Sequence, residues 1–228
     1  MKEYDNSFYE IQKAFLENEI AEYGLADGKL RGMVGLVCLT AIQTLQETPE
    51  KVQACIAAGV SVTEIKEAMY QAAPYIGYPR VSAALAVVNE TLCALGIEPQ
   101  GEDMSETTAD TRFEKGLAVQ ISIFGDQIRR MRESAPAETK HIQDCLSANC
   151  FGDYYTRGYL DLKVRELLTF TAIISIGGCD PQAKAHAAGN LSVGNTKKLL
   201  IETVTTCLPY IGYPRTLNAL TCIEEVCK

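Results

Sequence analysis

Apolar residues recur with helical spacing along nearly the whole chain. They lie three or four positions apart, as on one face of an α-helix, and no segment alternates convincingly between apolar and polar residues over a strand's length. This pattern predicts an all-α fold. In the first half, helices are expected at residues 8–22, 29–46, 49–58, 62–73 and 80–95. In the second half, they are expected at residues 111–132, 138–147, 161–176, 181–190, 196–207 and 215–226.

Several of these helices begin with a capping signal. Ser61 precedes Glu64 by three residues, which is the pattern of a capping box. Thr48 and Asp180 each stand directly before a proline, a residue that is favoured in the first turn of a helix. We therefore expect the side chains of Ser61, Thr48 and Asp180 to accept hydrogen bonds from free backbone amides at helix starts.

One heptapeptide, Pro-Tyr-Ile-Gly-Tyr-Pro-Arg, occurs twice, at residues 74–80 and 209–215. The same offset matches Gly59 with Gly194, and both glycines are expected to end helices. These matches predict a helical unit that has been duplicated and fused. The heptapeptide is identical in both copies, whereas the chemically reactive residues described below occur in the second copy alone. The expected role of the heptapeptide is therefore structural or at a subunit interface.

The duplication predicts two similar lobes that share a continuous core. The first copy is expected at residues 1–97 and the second at residues 111–228, joined by a polar, turn-forming linker at residues 98–110. Glu67 and Glu202 occupy equivalent positions in the two copies.

Charge and composition exclude several classes of function. The chain has 21 basic and 29 acidic residues and no basic run with interleaved aromatic residues, so we expect no nucleic-acid partner. No segment approaches the roughly 18 consecutive apolar residues of a membrane span. The N-terminus lacks the basic and apolar regions of a signal peptide, so a cytoplasmic location without membrane contact is expected.

Cysteine and histidine numbers limit the kinds of site. Nine cysteines, an odd number, argue against a disulfide framework, and most of them are expected to be reduced and buried. With only two histidines, no second imidazole lies near the clustered candidate ligands, so we expect no metal site. No Gly-rich phosphate loop or dinucleotide fingerprint is present, so no cofactor is expected.

Candidate reactive groups are concentrated in the second copy. Cys179 stands just ahead of an expected helix start, where the helix dipole favours a thiolate. Gln182 and His186 are four residues apart on that helix and therefore share a face. Glu166 lies on the preceding helix, whose antiparallel return places its carboxylate within reach of the imidazole. A carboxylate bound to a histidine fixes the tautomer of the imidazole and raises its basicity. Glu166 and His186 for this reason, and Cys179 for its place before a helix start, are the candidate catalytic residues.

Residues 151–157 are expected to form a loop that contains two aromatic side chains and a cation. Tyr155 and Arg157 in this loop suit the binding of an acidic substrate, with the guanidinium gripping a carboxylate. Gln182 is a further candidate for substrate binding. His141, by contrast, lies among polar residues and is expected at the surface.

The first copy lacks the reactive residues of the second. Alignment of the copies places Lys51 at the position of His186 and, after one indel, Gly32 at the position of Glu166. The first lobe is therefore expected to be a scaffold. In such fusions one copy commonly keeps the packing and lends side chains to the pocket of the other.

These residues resemble the carboxymuconolactone decarboxylase family, an all-α superfamily that also contains alkylhydroperoxidase D. The resemblance spans both copies and implies a duplicated helical unit of the alkylhydroperoxidase D type. It is carried by Arg165-Glu166-Leu167-Leu168, Gly177-Gly178, His186, Gly194, Glu202, residues 209–214 and Asn218-Ala219.

The two branches of the family imply different chemistry. The alkylhydroperoxidase branch has a glutamate, a Cys-x-x-Cys pair whose second cysteine attacks the peroxide, and a histidine. Here Gln182 stands at the attacking position and is no nucleophile, while Glu166 and His186 match the pattern. The decarboxylase branch does not require the cysteine pair.

By resemblance, the leading hypothesis is a cofactor-independent lyase like γ-carboxymuconolactone decarboxylase, which acts on a small carboxylated lactone or a related acid. His186 would supply the proton, Glu166 would orient His186, and Arg157 would hold a second carboxylate. One alternative is a thiol peroxidase or redox protein that uses Cys179, with Cys207 as the nearest resolving cysteine in sequence. Another is a non-enzymatic binding protein on the same fold.

The resemblance also implies a ring-shaped homo-oligomer. For a fused chain the simplest such ring is a trimer of two-lobe chains, with six quasi-equivalent lobes.

Overall fold

The computed structural model describes residues 4–227, and within that range it contains helices and no strand, which confirms the all-α prediction. The helices are α1 (Asn6–Phe15), α2 (Ala21–Tyr23), α3 (Gly28–Ile42), α4 (Thr48–Ala57), α5 (Val62–Ile76), α6 (Tyr78–Ala94), α7 (Arg112–Phe124), α8 (Gln127–Glu133), α9 (Lys140–Cys145), α10 (Leu162–Ile176), α11 (Asp180–Ser192) and α12 (Lys197–Val226). Two π-helical segments, Leu16–Ile20 and Leu146–Tyr155, and one 3-10 turn, Leu45–Glu47, connect some of them.

The two copies repeat the same helix order. In the first, α3, α4, α5 and α6 follow one another, and in the second, α10, α11 and the two halves of α12 do so. The break in α12 falls at Gly212, with φ of 72°, and its counterpart Gly77, with φ of 89°, separates α5 from α6. Because a residue with a side chain rarely adopts positive φ, glycine in the repeated heptapeptide allows the same break in both lobes.

The arginine that ends the heptapeptide also has the same contact in each lobe. Arg80 donates to the carbonyl oxygen of Ala41 near the end of α3, over 3.0 Å. Arg215 donates to the carbonyl oxygen of Ser175 near the end of α10, over 2.7 Å. Cationic side chains commonly bind the free carbonyls of a helix end, so the repeated segment has a structural role.

One large apolar core runs through both lobes, and a smaller second cluster surrounds Phe151. The centre of the large core is the contact between α3 and α10, which pack against each other and are buried on nearly all sides. Val34 and Val37 of α3 belong to the same buried cluster as Leu168 and Phe170 of α10, and all four side chains are fully buried. The two copies are therefore one packing unit, as the duplication predicted.

Helix starts and stops agree with the sequence in part. The capping box is present, since Ser61 Oγ accepts from the amide of Glu64 and Glu64 Oε2 accepts from the amide of Ser61. Gly59 and Gly194 have positive φ and each follows the residue that caps the end of a helix, as predicted. The predicted caps at Thr48 and Asp180 are wrong, because both residues are the first of their helices and neither start has a side-chain cap.

Two segments of the second copy differ from the prediction. Residues 111–132 form two helices rather than one, because the chain turns at Gly125, which has φ of 81°. Residues 151–157 were predicted to form a loop, and this prediction is wrong, since Leu146–Tyr155 is a π-helix that continues α9. The π-helix packs along α7 at very short range, where Gly116 and Gly152 let the two backbones touch.

None of the helices within residues 4–227 combines the length and the apolar character needed to cross a membrane.

The crossing of α7 and the π-helix gives a test of the packing. A Cβ on Gly116 would overlap the carbonyl oxygen of Ser147 and the backbone of Gly152. We expect Gly116→Ala to lower the free energy of unfolding by about 3 kcal/mol or more, because the backbones must separate. Urea unfolding of the two proteins measures this difference.

Gly28→Ala is the matched control. Gly28 opens α3, and a Cβ there has only ordinary contacts, the nearest at 3.5 Å from Ala58. This change should be neutral or stabilise by about 0.5 kcal/mol. Equal stability of the Gly116→Ala and Gly28→Ala variants would contradict the close crossing.

Candidate active site

Glu166 and His186 meet where α10 packs against α11. Glu166 Oε2 lies 2.9 Å from His186 Nδ1. The carboxylate is fully buried, and His186 is 7% exposed. The antiparallel packing of the two helices brings together the pair of side chains that the sequence placed on them.

The second oxygen of Glu166 is bound by a tyrosine. Tyr155 lies at the end of the π-helix, and its hydroxyl donates to Glu166 Oε1 over 2.7 Å. The same hydroxyl is 2.8 Å from Thr169 Oγ1 and accepts from Tyr75 over 3.2 Å. Burial raises the pKa of Tyr75 and of Tyr155 well above the usual value, so both phenols remain protonated donors at neutral pH.

Asn190 holds the backbone of both Glu166 and His186. Its side-chain amide donates to the carbonyl oxygen of Glu166 over 3.0 Å and to that of His186 over 2.8 Å. A Cβ on Gly189 would lie 2.6 Å from Glu166 Oε2, so this position leaves room for the carboxylate only as glycine. α11 therefore approaches α10 closely enough to seat the pair.

Two aromatic rings flank the imidazole. Tyr75 and Phe124 each meet His186 edge-on, with ring centroids 5.2 and 5.3 Å away. Nδ1 faces Glu166, and Nε2 has no hydrogen-bond partner within residues 4–227. Because a carboxylate accepts the Nδ1 proton, the neutral ring presents an unprotonated Nε2, and the charged ring presents a transferable proton there.

The first lobe contributes a row of polar side chains to this region. Glu67, Gln71 and Tyr75 lie four residues apart on α5, and each contacts the second lobe. Gln71 donates to Thr169 Oγ1 over 3.1 Å. The first lobe is thus more than a scaffold. Sequence reasoning missed these residues, although their spacing of four along a predicted helix was a visible signal that they share one face.

Two arginines of the second lobe bind Glu67. Arg157 donates to both carboxylate oxygens, at 2.9 and 3.1 Å, and Arg165 donates to Oε2 over 3.0 Å. Arg165 also donates to Gln71 Oε1 over 3.0 Å. Arg165 and Glu67 are fully buried, and burial lowers the pKa of the Arg165 guanidinium. The Glu67 carboxylate compensates that charge and ties α5 to α10.

This arrangement changes how two of the expected substrate-binding residues are understood. Arg157 is engaged by a carboxylate of its own chain and its side chain is only 15% exposed. Tyr155 is 2% exposed and its hydroxyl binds Glu166. Each side chain is therefore bound to a carboxylate of the protein itself, Arg157 to Glu67 and Tyr155 to Glu166.

Cys179 lies apart from the carboxylate and the imidazole. It precedes α11, is partly exposed, and lines a small cleft together with Arg215 and Asn218. His186 stands seven positions after Cys179, which corresponds to a rise of about 10 Å along a helix. Gln182 is exposed, one turn before His186 on the same face of α11. Of the expected reactive groups, the structure brings together the carboxylate and the imidazole but not the thiol.

Most of the cysteines are buried, as expected, but Cys207 has a neighbour other than Cys179. Five of the nine are buried, and Cys207 is in hydrogen-bond contact with Cys38 of α3, a contact that lowers the pKa of the Cys38 thiol. Cys222 lies beside the start of α11, where its thiol donates to the carbonyl oxygen of Asp180 over 3.7 Å. The expected resolving role of Cys207 for Cys179 has no support from this placement.

The equivalent region of the first lobe is filled. Gly32 offers no carboxylate, and a Cβ there would lie 2.8 Å from Cys55 Sγ. Lys51 Nζ lies 5.5 Å from the ring centroid of Tyr210. Tyr210 matches Tyr75 in the repeat, so each lobe sends a tyrosine to the other, but only the second lobe has a carboxylate–imidazole pair. Within residues 4–227, no group of three or more His, Cys, Asp or Glu side chains is arranged to hold a metal ion.

The buried carboxylate of Glu67 gives a test of the contact between lobes. We expect Glu67→Gln to lower the free energy of unfolding by about 3 kcal/mol, because it leaves the Arg165 charge buried without a counter-charge. Chemical unfolding of the wild type and the variant measures this difference.

Glu202→Gln, at the equivalent position of the second copy, is the matched control. Glu202 forms a surface pair with Lys198 at 3.6 Å, so its removal should change stability by less than about 0.5 kcal/mol. A similar loss in both variants would show that burial of the ion pair is not the cause.

Comparison with known proteins agrees with the duplicated architecture. A model described as the carboxymuconolactone decarboxylase family matches residues 7–90 and again residues 141–225. The 4-carboxymuconolactone decarboxylase of Acinetobacter baylyi (strain ATCC 33305 / BD413 / ADP1) is 27% identical over 120 residues, which cover 52% of this chain and 89% of that protein. Helices α7 and α8 lie between the two matched ranges. The chain therefore belongs to the carboxymuconolactone decarboxylase family and carries two copies of its domain.

Proposed function

We propose that the second lobe is a cofactor-independent decarboxylase that acts on a small carboxylated lactone or a related acid. The buried Glu166–His186 pair, whose imidazole Nε2 has no hydrogen-bond partner among residues 4–227, is the observation that carries this proposal. Membership of the family and the similarity to a 4-carboxymuconolactone decarboxylase support the class of substrate.

In the proposed reaction, the bond between the substrate's carboxylate carbon and its ring carbon breaks, and carbon dioxide leaves. The electron pair of that bond moves into the conjugated carbonyl and forms an enolate. The His186 imidazolium then gives its Nε2 proton to the enolate system. Water returns a proton to the ring for the next turnover, so the reaction needs no external oxidant or reductant.

Glu166 contributes by stabilising the imidazolium. Its carboxylate lies 2.9 Å from Nδ1 and holds the ring in one orientation, so that Nε2 faces away from α10. Tyr155 occupies the other carboxylate oxygen and keeps it from rotating. The rings of Tyr75 and Phe124 provide apolar surroundings, in which a substrate carboxylate is poorly solvated and its loss as neutral carbon dioxide is favoured.

Thiol chemistry at Cys179 is the second candidate. Its partial exposure and its place directly before α11 favour reactivity. However, Gln182 replaces the attacking cysteine of the peroxidase branch, and Cys179 lies away from the imidazole. A binding protein on the same fold would depend on neither group.

Single substitutions separate these functions. We expect His186→Gln to lower turnover of γ-carboxymuconolactone at least about a hundredfold, because the proton donor is lost. Cys179→Ser should retain turnover within about twofold of the wild type, since no thiol enters the reaction. Release of carbon dioxide and loss of the ultraviolet absorbance of the lactone measure both.

His141→Gln is the control for loss of a histidine, because His141 is exposed and far from the pair in sequence. Turnover that depends on Cys179 but not on His186 would contradict the lyase and favour thiol chemistry. Equal activity in all variants would contradict both.

A further inference from the structure

We propose that Gln71 and Tyr75, on α5 of the first lobe, are positioning residues that set the direction of the hydrogen bonds ending at Glu166 and His186. The inference deepens the proposed function of that site. Its hydrogen-bond argument, however, holds whatever the substrate is.

The donor-to-acceptor direction of this series of hydrogen bonds is set at its first group, which can only donate. The Arg165 guanidinium has no acceptor atom, and it donates to Gln71 Oε1 over 3.0 Å. The amide oxygen of Gln71 is therefore oriented toward α10's arginine. Its nitrogen must face the other way, where it donates to Thr169 Oγ1 over 3.1 Å.

The next two steps pass through hydroxyl groups. Thr169 Oγ1 already accepts from Gln71, so its own proton is free to go to Tyr155 Oη, 2.8 Å away. Tyr75 donates to the same Tyr155 oxygen over 3.2 Å and itself accepts from the Cys150 thiol over 3.3 Å. With two donors on its oxygen, Tyr155 directs its proton to the remaining acceptor, Glu166 Oε1.

Each oxygen of the Glu166 carboxylate then has a defined hydrogen-bond donor. Oε1 accepts from Tyr155, and Oε2 accepts from the Nδ1 proton of His186. If Tyr155 donated to Thr169 instead, Oε1 would lose this donor. Hydrogen bonds in such chains polarise one another, so a donor two steps away strengthens the bond that reaches the carboxylate.

Few other ionisable groups face the pair. The π-helix contributes Tyr155 and Cys150, and α5 contributes Tyr75. Arg165 and Glu67 lie one step further away, beyond Gln71. α7 contributes the ring of Phe124 and α11 the amide of Asn190, and neither titrates near neutral pH.

The duplication supplies a matched control. Tyr210 of α12 is the counterpart of Tyr75, but it faces Lys51, where the first lobe has no carboxylate–imidazole pair. Tyr75→Phe and Tyr210→Phe each remove one hydroxyl at equivalent positions. Tyr75→Phe also keeps the ring that meets His186 edge-on.

The experiment is a pH titration of the two histidine rings by nuclear magnetic resonance, without substrate. In Tyr75→Phe we expect the His186 signals to change at a higher pH than in the wild type, because a less well hydrogen-bonded carboxylate favours a proton on the pair. The His141 signals should not move in any variant. Tyr210→Phe should leave both rings as in the wild type.

Turnover gives a second readout. Loss of the Tyr75 hydroxyl should lower kcat roughly fivefold with KM unchanged, which corresponds to one weakened hydrogen bond. A purely structural role would lower the melting temperature and leave the His186 titration unchanged. Thr169→Val removes the hydroxyl that joins Gln71 to Tyr155 and should move the His186 titration in the same direction. This second variant keeps the test valid if Tyr75→Phe folds poorly.

A His186 titration that is identical in the wild type, Tyr75→Phe and Thr169→Val would overturn the proposal, as would an equal shift in Tyr210→Phe. Since the titration uses no substrate, absence of wild-type turnover would count against the decarboxylase proposal alone.

Discussion

The ion pair between Glu67 and Arg165 is the constraint on which the rest of the site depends. Both groups are fully buried and come from different lobes. Two buried charges are stable only when they stay in contact, so the lobes have one relative position in which neither charge is left alone. That position also places Gln71 against Thr169 and Tyr75 against Tyr155. The hydrogen bonds that support the carboxylate–imidazole pair thus depend on the contact between lobes.

The duplication explains why the first lobe supports a site in the second lobe while the reverse is not observed among residues 4–227. Each copy sends the helix that ends in the heptapeptide toward the other copy, so each lobe receives a tyrosine, Tyr75 in one direction and Tyr210 in the other. Only the second lobe keeps the carboxylate and the imidazole. In the first lobe, Cys55 and the stem of Lys51 occupy the space beside Gly32 and Gly35. The first lobe thus fills its own equivalent site by packing, while its α5 side chains support the pair of its neighbour.

The sequence predicted most of the fold because its signals are local. Helical spacing, the capping box at Ser61 and the repeated heptapeptide each act over a few residues, and the contact of Glu166 with His186 follows from two adjacent antiparallel helices. The contacts of Gln71 on α5 join residues more than ninety positions apart, so they depend on how the lobes pack. The segment 151–157 was misjudged for the same reason, since its π-helix fits against α7 through glycines on both sides.

The most direct test of this account is the tautomer of His186, observed through the nitrogen resonances of its ring at a pH where the ring is neutral. The chain has two histidines, so the spectrum is simple and exposed His141 serves as an internal reference. The account predicts a single tautomer with the proton on Nδ1, bound to Glu166, and a bare Nε2. A ring protonated on Nε2, or a mixture like that of His141, would contradict it.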